Sequence, residues 1–173
     1  MTRMLFTFTL ILAAALSRLI PHPANVAPIT ALALFGGVYL DKKHTFIVPL
    51  AALFLSDYVI GFYSGIAWVY GSFLAIGFIG LWLRKHPGVL TTVGASLAGS
   101  VLFFLVTNCG WWLGADSLYP HTFAGLMQGY AAGIPFFRNT LLGDLGYVGA
   151  MFGVYELGRR LIPALKVQPE LAS

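Results

Sequence analysis

Long apolar runs alternate along the chain with short clusters of charged residues and prolines. Continuous runs close to 20 residues are typical of helices that cross a bilayer. The pattern predicts six such helices, at residues 4–20, 29–40, 45–62, 66–83, 89–106 and 140–157. A further stretch, residues 122–135, is ambiguous. We therefore expect one all-α domain over residues 1–173.

The basic residues predict the orientation of these helices, because short cytoplasmic loops of membrane proteins carry most of the lysines and arginines. The residues assigned to the cytoplasm are Arg3, Lys42, Lys43, Arg84, Lys85, Arg159, Arg160 and Lys166. The first five runs then alternate across the bilayer, and only one crossing can follow residue 121. We expect a compact bundle of six transmembrane helices with both ends inside and an outer half-helix at residues 122–135. In the alternative, residues 4–15 form a cleaved signal sequence.

Composition agrees with a membrane location. The 173 residues are 58% hydrophobic and only 9% charged, whereas soluble domains carry about 25% charged residues. A soluble globule, a disordered chain and a nucleic-acid binder are therefore disfavoured, and the lipid bilayer is the expected partner. The one cysteine, Cys109, excludes an intramolecular disulfide and is interpreted as a small packing residue.

Small residues recur four positions apart, at a spacing that places them on one helix face. The pairs are Ala33/Gly37, Gly94/Ala98, Ala95/Gly99, Gly146/Ala150 and Gly149/Gly153. Such pairs let helix backbones approach closely within a membrane. They predict close packing inside the bundle or, in a second interpretation, a face on which another membrane protein docks.

Polar side chains gather near the outer ends of the predicted spans. They are Arg18, His22, Asn25, Asp57, Asn108, Trp111, Trp112, Arg138, Asn139 and Asp144. Charged groups in a membrane are costly unless they are paired or face a wet cavity, so this set is the candidate ligand-binding site. Structural roles remain open: the arginines could reach lipid headgroups or pair with the aspartates, and the tryptophans could anchor the interface.

The sequence offers little for catalysis. Within the predicted spans, no two His, Cys, Asp or Glu residues stand three or four positions apart, as metal sites on helices require. There is also no G-x-S-x-G nucleophile motif and no P-loop. We therefore expect no enzyme, no metal and no cofactor. A membrane-embedded enzyme using His22 or His121 with Asp57 or Asp144 is the less favoured alternative.

Several polar segments resemble an uncharacterised family of small bacterial membrane proteins, over about residues 17–155. These segments are RLIPHPAN at 18–25, PITALALFGG at 28–37, LSD at 55–57, IGF at 60–62, YPHTFAG at 119–125 and IPFFRNTLLGD at 134–144. The size and layout are in turn similar to the S component of energy-coupling-factor vitamin transporters. That likeness rests on layout and not on a shared ligand motif.

The second resemblance implies a ligand site near the outer face and an ATPase-driven module that docks on small-residue helix faces. The expected function is binding and uptake of a small, vitamin-like molecule at the bacterial inner membrane. Arg18 and Arg138 would hold an anionic or carbonyl group, and Trp111 and Trp112 would form an aromatic wall. The alternative from another class is a non-transporting scaffold or accessory subunit. The identity of the ligand does not follow from the sequence.

Overall fold

The computed structural model describes residues 2–41, 43–115 and 117–165, and these residues form helices and loops without any β-strand. The six α-helices are α1 (Thr2–Ser17), α2 (Ile29–Tyr39), α3 (Ile47–Ile60), α4 (Ile66–Lys85), α5 (Val89–Leu113) and α6 (Phe123–Leu161). A short 3-10 helix, Pro163–Leu165, follows α6. The predicted all-α class is confirmed. Lys42 and Lys166, used above to orient the chain, lie outside the described residues.

Helices α1 to α4 begin and end within three residues of the apolar runs that predicted them. Helix α5 is longer than its predicted span and continues to Leu113. Asn108, Trp111 and Trp112 therefore lie in its last turns and not in a loop after it. No charge or proline interrupts the run from Val89 to Leu113, so nothing local stops the helix before Gly114.

Helix α6 differs most from the sequence-based expectation. The half-helix predicted at 122–135 and the span predicted at 140–157 form one continuous helix of 39 residues, about 58 Å long at 1.5 Å per residue. Its start is capped by the Thr122 hydroxyl, which accepts a hydrogen bond from the Gly125 amide at 3.2 Å. Pro135 lies inside the helix, where a proline removes one backbone hydrogen bond without necessarily ending the helix.

Helix α2 is the centre of the bundle. Every residue from Ile29 to Gly37 is buried, and the helix packs against α1, α3, α4, α5 and α6. A helix that is apolar on all sides is expected to be surrounded in this way. Because α2 begins at one end of the bundle, its first residues are available to a site formed there by the neighbouring helices.

Glycines bring α2 and α4 into backbone contact. A methyl group built on Gly37 would lie 2.6 Å from the Cα atom of Gly80, and one on Gly80 would lie 2.8 Å from the Leu34 carbonyl oxygen. Such distances leave no room for any side chain at either position. This contact determines how closely, and at what rotation, the central helix meets α4.

The predicted small-residue pairs divide into two groups. Ala33, Gly37, Ala95 and Gly99 are buried between helices, which confirms the packing interpretation for those pairs. Gly94, Gly146, Gly149 and Gly153 face open space, since a methyl group on any of them would meet no described atom within 4 Å. Ala98 and Ala150, their pair members, are exposed.

Arg84 at the end of α4 caps the C-terminus of α2. Its Nε donates to the Gly37 carbonyl oxygen at 2.8 Å, and its Nη2 donates to the Gly37 and Leu40 carbonyl oxygens. The last carbonyls of a helix have no partner within the helix and carry partial negative charge, so a guanidinium is well suited to them. The sequence had indicated this residue only as a marker of orientation.

We expect Arg84→Met to lower the free energy of unfolding by about 2 kcal/mol, because the carbonyl oxygens of the buried residues Gly37 and Leu40 lose their guanidinium donors. The measurement is an unfolding titration of the purified protein in detergent micelles. Lys85→Met is the matched control: Lys85 is adjacent and exposed, so its removal should cost less than about 0.5 kcal/mol. Equal losses for the two variants would contradict the capping role.

The surface of the bundle is strongly apolar. Large apolar side chains are exposed on every helix except α2; Leu5, Phe78 and Leu90, for example, are 64%, 63% and 85% exposed. In the described part of the chain two helices, α4 and α5, are long and apolar enough to cross a membrane, while α1, α2 and α3 are apolar but shorter.

Candidate functional site

A cavity of about 310 Å³ lies at the end of the bundle that carries the α1–α2 and α3–α4 loops. Its walls come from the α1–α2 loop, the start of α2, the α3–α4 loop, the start of α4, the second half of α5 and the middle of α6. The lining residues are Asn25, Ala27, Ile29, Thr30, Tyr63, Val69, Phe103, Thr107, Thr140 and Asp144. We refer to this space as the main cavity.

A smaller cavity of about 110 Å³ adjoins it between α5 and α6. The two spaces share Asn25, Phe103, Thr107 and Thr140, and the smaller one adds Phe104, Asn108, Gly133 and Phe136. A methyl group on Gly133 would lie 2.8 Å from the Asn108 Oδ1 atom, so the glycine allows α6 to pass close to that amide. The shared walls place the two spaces side by side.

Asp144 is the one formally charged residue among the described residues that line either cavity. It lies in α6 and is only 2% exposed. The hydroxyls of Thr30 in α2 and Ser100 in α5 both donate to its Oδ2 atom, at 2.8 and 2.6 Å. Three helices thus meet at this carboxylate, and hydrogen bonds from both hydroxyls offset part of the cost of its burial.

Three further polar side chains of the cavities donate hydrogen bonds to backbone carbonyl oxygens of their own helices. The hydroxyls of Thr107 and Thr140 donate to the carbonyl oxygens of Phe103 and Phe136, at 2.7 and 3.4 Å. The Asn108 amide nitrogen donates to the Phe104 carbonyl oxygen at 2.8 Å. Because their hydroxyl hydrogens are used inside α5 and α6, the two threonines offer the cavities oxygen lone pairs, whereas Asn108 offers its amide oxygen and a second N–H group.

The α1–α2 loop forms the mouth of the site. Asn25 has a backbone φ of 64°, in the left-handed region that asparagine tolerates better than most residues. The Asn139 side chain in α6 donates to the Ala24 carbonyl oxygen at 3.1 Å and so holds this turn against α6. Asn25 thereby reaches the walls of both cavities.

A buried ion pair lies behind the main cavity. The Nη2 atom of Arg18 lies 2.6 Å from the Asp57 Oδ1 atom, and the two side chains are 7% and 0% exposed. Arg18 also donates to the Ser56 hydroxyl, and the Tyr70 hydroxyl donates to Asp57 Oδ2 at 2.9 Å. The charge of Arg18 is therefore compensated within the bundle.

Tyr63, in the loop between α3 and α4, lines the main cavity and also lies near the charges of Arg18 and Asp57. Burial, together with the nearby Asp57 carboxylate, raises the pKa of Tyr63 above its usual range. The phenol therefore stays neutral at physiological pH, and it contributes a hydroxyl and a ring face to the cavity wall.

The structure brings only part of the predicted site together. Asn25, Asn108 and Asp144 line the cavities, whereas Arg18 and Asp57 bind each other. Arg138 is exposed and is not among the described residues that line either cavity. The arrangement therefore does not support the expectation that two arginines hold an anionic group.

The remaining predicted residues have local contacts outside the cavities. His22 is exposed and its Nδ1 atom lies 2.6 Å from the Ile20 carbonyl oxygen. Trp112 donates to the Pro120 carbonyl oxygen at 2.9 Å, and Trp111 packs edge-on against Tyr119. Phe103 and Tyr63 form the aromatic part of the cavity wall, where the sequence had suggested the two tryptophans.

Sequence reasoning missed the hydroxyl groups of the site, in particular Thr30, Ser100, Thr107 and Thr140. A signal was present, since Thr30 and Ser100 are polar positions between apolar neighbours in their helices. Serine and threonine are common in membrane helices and often bond to their own backbone, so their positions alone do not point to a shared partner. No group of three or more metal-ligating side chains occurs among the described residues.

Comparison with known proteins adds a family but no characterised relative. No curated protein matches the chain, and no solved structure matches it. The similarity in layout to S components therefore remains a prediction from the sequence. The profile of a family of unknown function, DUF6580, matches residues 1–165. Because this match covers nearly the whole chain, the protein belongs to the DUF6580 family.

Proposed function

We propose that the protein is a multi-pass protein of the bacterial inner membrane that binds a small, vitamin-like molecule and takes part in its uptake, in the manner of an S component. The observation that carries this proposal is the main cavity, which is partly open and combines apolar walls with the buried Asp144 carboxylate. Small-molecule sites generally have this character: a mostly apolar concave surface with a few polar groups that orient the ligand.

The apolar surface supports the membrane location. Exposed leucines, phenylalanines and valines cover the outside of five helices, and contiguous exposed apolar surface of this extent is unusual in soluble proteins. The single long helix α6 also provides the one crossing after α5 that the distribution of basic residues requires. A six-span bundle with both ends in the cytoplasm is consistent with these features.

In this orientation the main cavity faces the outer side. Lys43, Arg84, Lys85, Arg159 and Arg160 then lie at the cytoplasmic end, following the positive-inside tendency. A ligand would enter past the α1–α2 loop, where Asn25 lines both cavities. This is the placement that the layout of an S component implies.

Active transport would take its energy from a partner or from an ion gradient, because the sequence contains no P-loop. The outward-facing small residues of α5 and α6, among them Gly94, Gly146 and Gly153, offer helix surfaces that a membrane partner could approach closely. An ATPase-driven module is the partner that the S-component layout suggests.

One observation favours the alternative of a scaffold that binds no ligand. The Arg18–Asp57 pair is buried and internally compensated, as expected of a polar contact that specifies how helices pack. The enzyme alternative, His22 or His121 with Asp57 or Asp144, has less support. Among the described residues Asp57 is bound by Arg18 and Tyr70, and Asp144 is bound by Thr30 and Ser100. The cavity favours a binding protein over a scaffold.

The test is native mass spectrometry of the full-length protein purified in mild detergent. We expect the wild-type protein to carry a small molecule, and Thr107→Trp to lose it, because the indole would occupy the space that Thr107 borders in both cavities. Leu105→Trp is the matched control, since Leu105 lies on the outer face of the same helix and is 45% exposed. Equal ligand content in both variants would contradict a binding site in the cavity.

A further inference from the structure

The Asp144 carboxylate and the threonine hydroxyls of the cavities act as hydrogen-bond acceptors, and this limits which ligands they can bind. Asp144 and Thr30 belong to the main cavity, Asn108 belongs to the smaller one, and Thr107 and Thr140 border both. The hydroxyl hydrogens of the three threonines are donated elsewhere, that of Thr30 to Asp144 and the other two to backbone carbonyls, and Asn108 donates one of its two amide hydrogens to a backbone carbonyl. The Asp144 carboxylate and the threonines therefore present acceptors to a ligand, while the Asn25 and Asn108 amides and the Tyr63 hydroxyl complete the polar lining.

The charge of the site has one sign. Both hydroxyl donors to Asp144 use the same oxygen, Oδ2, and no described residue donates a hydrogen bond to Oδ1. Arg18 is engaged with Asp57, and Arg138 is exposed and is not among the described residues that line either cavity. A buried carboxylate oxygen is thus left for a ligand, with no protein cation among the described lining residues to balance it.

We propose that the ligand of this site is a small organic cation, an amine or amidine whose N–H groups bind Asp144 Oδ1 and the neighbouring threonine and asparagine oxygens. This assignment rests on the proposed binding function and names its substrate class. An ammonium group satisfies both the charge and the missing donors at Asp144, and charge-assisted hydrogen bonds of this kind are the strong ones. A carboxylate or phosphate ligand would face the like charge of Asp144 and unpaired acceptors.

The apolar walls specify the rest of the molecule. Ile29, Val69 and Phe103 line the main cavity beside Asp144, so a flat or aliphatic body can bury its surface there while the charged group reaches the carboxylate. The cavity volume of about 310 Å³ lies at the lower end of the range for small-molecule sites. The ligand is therefore compact, with its cationic group at one end.

The experiment compares three probes of one shape by calorimetry on the full-length protein in dodecyl maltoside: phenethylamine, 2-phenylethanol and 3-phenylpropanoate. We expect phenethylamine to bind at least about tenfold more tightly than the other two. Thr107→Trp serves as the control for binding to micelles. It should abolish the heat of binding in the cavity and leave the heat of partitioning into micelles unchanged.

Two substitutions then test the residues. Asp144→Asn keeps an oxygen for Thr30 and Ser100 but replaces the free acceptor by an NH₂ donor, so phenethylamine affinity should fall about tenfold to hundredfold. If that variant does not fold, Thr140→Val removes one acceptor at nearly constant shape and should lower the affinity about threefold. Unchanged amine affinity in a folded Asp144→Asn protein would overturn the proposal.

The outcomes also separate the ligand class from the binding function. Binding of 3-phenylpropanoate as tightly as the amine, lost in Thr107→Trp, would overturn the cationic class and leave the cavity as the binding site. Absence of binding by all three probes, while wild-type protein retains its own ligand in native mass spectrometry, would likewise overturn only the class. Absence of both would count against the binding function as well.

Discussion

Replacing Arg18 by methionine is expected to lower the free energy of unfolding by about 3–5 kcal/mol, one of the two largest effects predicted for this chain. The substitution keeps the volume of the side chain but leaves Asp57, which is fully buried, without its cation. The Tyr70 hydroxyl is then the remaining side-chain donor to Asp57 among the described residues, and one neutral hydrogen bond does not offset a buried charge.

The double variant Arg18→Met/Asp57→Leu distinguishes a lost ion pair from a general packing defect. Removing both charges should restore most of the lost stability, because apolar side chains of similar volume replace buried pairs with little cost. Arg138→Met is the control on an exposed arginine and should change stability by less than about 0.5 kcal/mol. All three are measured by SDS titration in mixed micelles, and a double variant no more stable than the single one would refute the pairing role.

The second large effect is expected at the crossing of α2 and α4. Gly80→Ala should destabilise the protein by about 3 kcal/mol, since its methyl group would lie 2.8 Å from the Leu34 carbonyl oxygen and 3.0 Å from the Gly37 Cα atom. Both neighbours are backbone atoms of the central helix, so α2 and α4 would have to move apart. Gly80→Leu should prevent assembly of the bundle.

Gly146→Ala provides a control with the opposite sign. It makes the same chemical change within a helix, but its methyl group meets no described atom within 4 Å. Alanine is favoured over glycine in helix interiors by up to about 1 kcal/mol, so this variant should be neutral or slightly more stable. Thermal unfolding followed by tryptophan fluorescence compares the two, and equal melting temperatures would exclude steric contact at Gly80 as the cause.

The sequence predicted the two contacts behind these variants to different extents. The Arg18–Asp57 pair was one of the alternatives that the sequence left open, because both residues were expected at the same end of the bundle. The sequence predicted only one side of the Gly37–Gly80 contact. Gly37 belonged to a small-residue pair, but the sequence did not indicate that Gly80 of α4 would pack against it. Spacing along one helix shows which face is small but not what lies against it.

The functional site was likewise predicted only in part from the sequence. Asp144 and Asn25 were recognised as polar positions near one end of the bundle, and both line the main cavity. The hydroxyls that complete the site, Thr30 and Ser100, come from two other helices and meet at one oxygen of Asp144. Their role depends on how α2, α5 and α6 are rotated about their own axes, which hydropathy does not reveal.

By itself, the sequence determined the helical class, the positions of α1 to α4 and the basic end of the bundle, because hydropathy, proline and charge act locally along the chain. Only the tertiary structure decided that α6 is one helix through Pro135, that Arg18 is neutralised by Asp57, and that Asp144 presents a free oxygen to a cavity. Those properties arise from contacts between helices. Contacts of that kind depend on the close approach at Gly37 and Gly80 and on the resulting helix rotations.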